Sequence, residues 1–170
     1  KSTGYEIVNE VAHADIAVVN TCGFLESSVQ ESIDCILEVA DYKESGQLRK
    51  LIVAGCMVER YQGDIRETLP EVDHFISVND ILKVTDAADG AMGTMLDEAA
   101  RPYFLYDERL PRELSTLPHT AYVKVSEGCN RPCTFCIIPK IRGPLRSRSI
   151  ASLRSEIADL GSRGVKEAVL

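Results

Sequence analysis

Three short apolar runs punctuate the first ninety residues, at 16–19, 51–54 and 75–78, and each is followed by an amphipathic stretch. Alternation of this kind marks βαβ units around a parallel sheet. Ile16-Ala17-Val18-Val19 and Leu51-Ile52-Val53-Ala54 are continuous rather than alternating, as expected of strands buried on both faces. Between them the spacing predicts a helix over 28–40. Ser28 and Glu31 form a capping box, Val29, Ile33, Ile36, Leu37 and Ala40 share one face, and Gly46 serves as terminator. A second helix is predicted over 59–68, ended by Pro70, and a third over 81–88. The fold class is therefore α/β, with a doubly wound parallel sheet over 1–90.

Residues 91–117 break the rhythm. Pro102, Pro111 and the charged Asp107-Glu108-Arg109 read as a linker, with a short edge strand at 103–106. A new unit is expected from 118, where Thr120-Ala121-Tyr122-Val123-Lys124-Val125 forms a strand that runs into a cysteine-rich loop. Beyond the loop, Ser149 caps a helix with Leu153, Ile157 and Leu160 on one face. Gly164 ends it, and 165–170 begins another strand. Lys1 is no initiator and the chain stops inside that last strand, so the sequence reads as an internal piece of a longer protein.

Charge divides along the same line. Residues 118–170 hold nine Lys/Arg against four Asp/Glu, whereas 1–117 hold ten against twenty-two. The basic half is the better candidate for anionic groups, although two ordinary solvated surfaces would count the same way. No run approaches the roughly 18 apolar residues of a membrane span, and no charged-then-apolar leader opens the chain. A cytoplasmic protein without membrane contact is expected. Outside a secretory setting, its six cysteines read as metal ligands or thiols rather than disulfides.

Glu127-Gly128-Cys129-Asn130-Arg131-Pro132-Cys133-Thr134-Phe135-Cys136 sets three thiols at a C-x3-C-x2-C spacing. Three thiolates on a 4Fe–4S cube leave one iron open to a small molecule, which separates a catalytic metal site from a closed structural one. Gly128 permits close backbone approach to a cluster, and Phe135 is placed to shield one cluster face. A structural zinc site would want a fourth N or S donor, and His119 lies on the wrong side of a strand.

The loop resembles the signature of the radical S-adenosylmethionine (SAM) superfamily. The longer stretch through Cys136-Ile137-Ile138-Pro139 and Arg142-Gly143-Pro144-Leu145-Arg146-Ser147-Arg148 is similar to the methylthiotransferase family within it. The resemblance implies that Cys129, Cys133 and Cys136 bind a 4Fe–4S cluster chelated by SAM. It further implies that 118–170 opens a radical SAM (β/α) barrel, with the cluster loop at the carboxyl end of its first strand. Arg146 and Arg148 are then candidates for contact with SAM or another active-site anion.

Cys22 and Cys56 each follow a predicted strand directly, in Asn20-Thr21-Cys22-Gly23-Phe24 and Gly55-Cys56. Carboxyl ends of parallel strands share one edge of a sheet, so both thiols are expected at one crevice. Two small core residues is the bland alternative, and it stands open on the residues alone. The family resemblance implies an auxiliary 4Fe–4S cluster here, with a third cysteine in an upstream glycine-cysteine motif that these residues do not contain. Cys35 reads as a bystander.

Within the family, Cys22-Gly23-Phe24-Leu25-Glu26-Ser27-Ser28 and the arginine run resemble the branch that modifies an aspartate of ribosomal small-subunit protein S-twelve. That branch uses two SAM molecules, two 4Fe–4S clusters and an electron donor such as flavodoxin. A tRNA adenosine methylthiotransferase is the alternative inside the family. Outside it stand a zinc-stabilised RNA-binding module and a piece that has no activity by itself.

Overall fold

The computed structural model describes residues 4–90, 104–110, 112–114 and 116–170. The chain divides into two compact units, Lys1–Pro102 and Tyr103–Leu170.

In the first unit β1 (Ile16–Thr21), β2 (Lys50–Gly55) and β3 (His74–Ser77) form a parallel sheet in the order β1-β2-β3. Register pairs Ala17 with Leu51, Thr21 with Gly55, and Gly55 with Ser77. Helix α1 (Glu26–Glu44) follows β1, α2 (Cys56–Tyr61) and α3 (Asp64–Thr68) follow β2, and α4 (Val84–Asp89) follows β3. Side chains alternate across a strand. Leu51 and Val53 therefore meet Val29, Ile36, Val39 and Ala40 of α1 and Met57 and Val58 of α2. Ile52 and Ala54 meet Ile76 and Ala87 on the opposite face. Helices thus cover both faces of the sheet.

Several expectations change in detail. Strand β1 is an edge strand, and Val18 is 47% exposed instead of buried. Helix α1 begins at Glu26 from an extended Leu25 with no side-chain cap, so Ser28 and Glu31 lie inside the helix and form no capping box. Its apolar face takes Val39 in place of Leu37, which is exposed. The helix expected over 59–68 is two short helices, parted at Gln62, whose φ of 40° is left-handed. Gly46, also at positive φ, follows the end of α1 as expected.

The second unit holds β4 (Thr120–Tyr122), β5 (Ser126–Glu127), α5 (Ile138–Arg142), β6 (Arg146–Ser147), α6 (Ile150–Ser162) and β7 (Glu167–Val169). Strands β4 and β7 pair in parallel, β5 and β6 antiparallel. Leu160 of α6 packs on Ala121 and Val123 beside Leu114, Leu153 and Val165. Ser149 caps α6 as predicted, its hydroxyl accepting from the Ser152 N–H. Ile157 is exposed, and Glu156 occupies the buried face instead. Residues 104–106 form no strand, and Tyr103 lies outside the described residues. One parallel pair with a crossover helix is a βα unit. It does not close a barrel.

Candidate functional site

Strand β5 delivers the chain to the cysteine loop through Gly128, at φ +79°. A Cβ there would lie 2.2 Å from the Pro144 carbonyl oxygen, so only glycine lets the two segments cross. The crossing is clasped on both sides. Cys129 N–H donates to Gly143 O at 3.1 Å, and Leu145 N–H donates to Asn130 Oδ1 at 2.9 Å. Arg131 N–H donates to Cys129 Sγ, 3.4 Å away. A bond from Cys136 N–H to Cys133 O at 3.1 Å turns the far end of the loop.

Cys133 is exposed, while Cys129 and Cys136 are half-buried. Phe135, expected as a shield, is 88% exposed. Among the described residues no three His, Cys, Asp or Glu side chains are gathered closely enough to hold a metal ion. The donor set itself is soft sulfur, suited to iron–sulfur or zinc.

Glu127 stands at the entrance to the loop, paired with Lys124 Nζ at 2.7 Å and Arg142 Nη1 at 3.1 Å. Desolvation pushes its carboxyl pKa up, but the Lys124 hydrogen bond and the two cations outweigh it and hold it below the usual range.

The two arginines expected at an active-site anion direct their donors into the protein. Arg146 donates to the carbonyls of Pro144 at 2.7 Å, Arg142 at 3.1 Å and Phe104 at 3.4 Å. The Arg148 side chain is 1% exposed and ion-paired with Glu156. It also donates to Ser152 Oγ at 2.8 Å and Lys124 O at 3.1 Å, and it stacks 5.4 Å from the Tyr106 ring centroid. Glu156 receives Arg112 as well, at 2.6 Å. The sequence reading assigned Glu156 nothing. Its signal was a glutamate three residues after Leu153 and four before Leu160, on the stripe they share.

In the first unit, Cys22 and Cys56 are the next residues past the register pair Thr21 and Gly55. Their approach is tight. A Cβ on Gly23 would sit 2.6 Å from Cys56 O, and one on Gly55, at φ +114°, 2.5 Å from Thr21 O. Thr21 Oγ1 donates to Ala54 O at 2.8 Å, and Cys22 N–H to Ser32 Oγ of α1 at 3.3 Å. Cys22 is exposed and Cys56 half-buried at the start of α2. Cys35 is exposed on α1.

Residues 1–77 match the family described as "Uncharacterized protein family UPF0004". Over nearly the whole chain the likeness becomes more particular. The chain is 46% identical over 164 residues to "Ribosomal protein uS12 methylthiotransferase RimO" of Solibacter usitatus, covering 96% of the chain and 35% of the relative. The proteins of the same name from Heliobacterium modesticaldum and Geotalea uraniireducens are each 44% identical to it. They cover 100% and 96% of the chain, and 37% of each relative. The chain is thus a relative of the RimO methylthiotransferases along nearly its whole length, and it spans little more than a third of theirs.

Proposed function

We propose that this chain is part of a radical SAM methylthiotransferase that places a methylthio group on an aspartate of ribosomal small-subunit protein S12. The single observation that carries the reading is the clasped loop, whose three cysteines stand at the C-x3-C-x2-C spacing. When bound, clusters would supply an iron corner open to SAM at Cys129, Cys133 and Cys136, and sulfur near Cys22 and Cys56.

The protein's own part is positional. Gly143 O and the Gly128–Pro144 crossing hold Cys129 at the end of β5, and the Arg131 N–H donates to its sulfur. Arg146, through three carbonyls, keeps the 142–146 segment in place against the loop. Under this reading 118–170 opens a barrel, the site lies at its carboxyl end, and an external donor such as flavodoxin supplies electrons in the cytoplasm. Among the described residues no helix is long and apolar enough to cross a membrane.

The test is anaerobic reconstitution of the full-length protein, followed by iron and sulfide analysis and assay for 5′-deoxyadenosine. Replacing Cys129, Cys133 and Cys136 together by Ala should abolish the SAM-induced spectral change and SAM cleavage. Zinc without sulfide, or undiminished cleavage in the triple variant, would overturn the reading. A gain of about 46 Da, one hydrogen exchanged for a methylthio group, should appear on the ribosomal protein. If it appears on tRNA instead, the substrate assignment falls and the cluster chemistry stands.

A further inference from the structure

The thiols of Cys22 and Cys56 lie on different segments, and strand pairing ends just before both. Something other than the sheet ladder must keep the two segments together beyond Thr21 and Gly55. One turn into α2, on the same face as Cys56, Arg60 reaches back across the gap. Its Nη1 donates to Gly23 O at 2.8 Å, at the residue immediately after Cys22. Residues four apart share a helix face, so Cys56 and the root of Arg60 are stacked one above the other. The guanidinium therefore ties the Cys22 segment to the helix that carries Cys56.

Two neighbouring features make that tie specific. Gly23 lies so close to Cys56 O that a methyl group would collide with it, so the backbone junction has no slack. Ser32 holds the Cys22 N–H from the other side, at 3.3 Å, and leaves the Gly23 carbonyl to Arg60. The Arg60 guanidinium also lies over the adjacent Tyr61 ring, its carbon 5.2 Å from the centroid.

We propose that Arg60 is the positioning residue that holds Cys22 and Cys56 as a matched dithiol able to chelate one thiophilic atom. The inference concerns the bare polypeptide and does not need a cluster to be present. It can therefore fail while the methylthiotransferase reading stands, and the reverse.

The probe is phenylarsine oxide, whose trivalent arsenic forms two As–S bonds with a neighbouring thiol pair. Two S–H bonds break, one water leaves and no electrons move. Binding is measured in the full chain with Cys35, Cys129, Cys133 and Cys136 changed to Ser. One arsenic per chain is expected, lost on Cys22→Ser or Cys56→Ser. Arg60→Met keeps the stem and removes the donor, and it should weaken binding tenfold or more while each single thiol still reacts with a monofunctional maleimide at its former rate. Arg60→Lys should restore most of the affinity, and Gly23→Ala should lose it by an independent route. Should Arg60→Met fail to fold, Arg60→Gln replaces it in the same comparison. Unchanged affinity without the Arg60 donor would overturn the proposal. So would a parent chain that binds no arsenic.

Discussion

Cys22 and Cys56 leave adjacent, hydrogen-bonded strands, whereas Cys129, Cys133 and Cys136 share one loop clasped mainly at its first cysteine. In the first unit the scaffold sets the thiol spacing: two glycines pass backbone at contact distance and Arg60 closes the join. In the second unit the scaffold fixes one thiol and lets a single turn bond arrange the other two. Thiols at strand ends are organised before any ligand arrives. Thiols on a loop have less of their arrangement set by the surrounding backbone.

The contrast can be broken from the second unit most forcefully at Glu156. Glu156→Ala would take the shared carboxylate from Arg148 and Arg112, leaving the buried Arg148 only a longer contact with Glu108 at 3.8 Å, and should cost about 3–5 kcal/mol. Hydrogen exchange resolved by segment should show the loss across 116–170 and leave β1–β3 protected. Equal loss in both units would mean that they do not fold independently.

Next in size is Gly128→Ala. A left-handed φ with a carbonyl 2.2 Å from the new methyl should cost about 2–3 kcal/mol and free the Cys129 N–H. Faster exchange at Cys129 and Leu145, with α6 unchanged, is the expected signature.

Acid sharpens the comparison. In the first unit, burial pushes the Asp73 carboxyl up, but the bonds from Lys43 and the Leu51 N–H hold it below its ordinary value. Glu127 is depressed in the second unit. A depressed carboxylate contributes stability above its unfolded pKa of roughly 4, lost as pH falls through the lower folded value. Both units should therefore weaken below about pH 4. Asp73→Asn should cost the first unit about 1 kcal/mol at neutral pH and flatten its acid limb alone, read by chemical denaturation across pH.

Smallest is Cys35→Ser. The side chain is exposed on α1, and the melting midpoint should move by no more than about 0.5 kcal/mol allows.

The parts of this architecture legible in the sequence are those that neighbouring residues decide. The apolar run 51–54 is a central strand with all four residues fully buried, and Ser149 caps α6, because each depends on local pattern. Val18 misled because burial of a strand's second face depends on its place in the sheet, which no local window encodes. The break at Gln62 has no signature, since glutamine rarely takes a left-handed φ. Glu156 was invisible for a different reason. Its partners stand 8 and 44 residues away, and a buried carboxylate is intelligible only beside them. Of the candidate site, spacing exposed the thiols and the resemblance named their chemistry. The arginines' inward bonds, however, needed coordinates.

The stretch 104–114, which reads as linker, is fastened through its described residues to the rest of the second unit at several points. Phe104 O receives Arg146, the Tyr106 ring lies under Arg148, Arg112 meets Glu156 and the Tyr122 carbonyl, and Leu114 joins the core around Leu160. It behaves as a strap, and this bears on where the molecule can be cut. A truncated form starting at residue 118 would strip one of two guanidiniums from Glu156 and remove the ring that covers the other. Such a piece would expose apolar surface and aggregate, whereas one starting ahead of Phe104 keeps its own cover. A protease given the whole chain should accordingly spare the described residues of the strap.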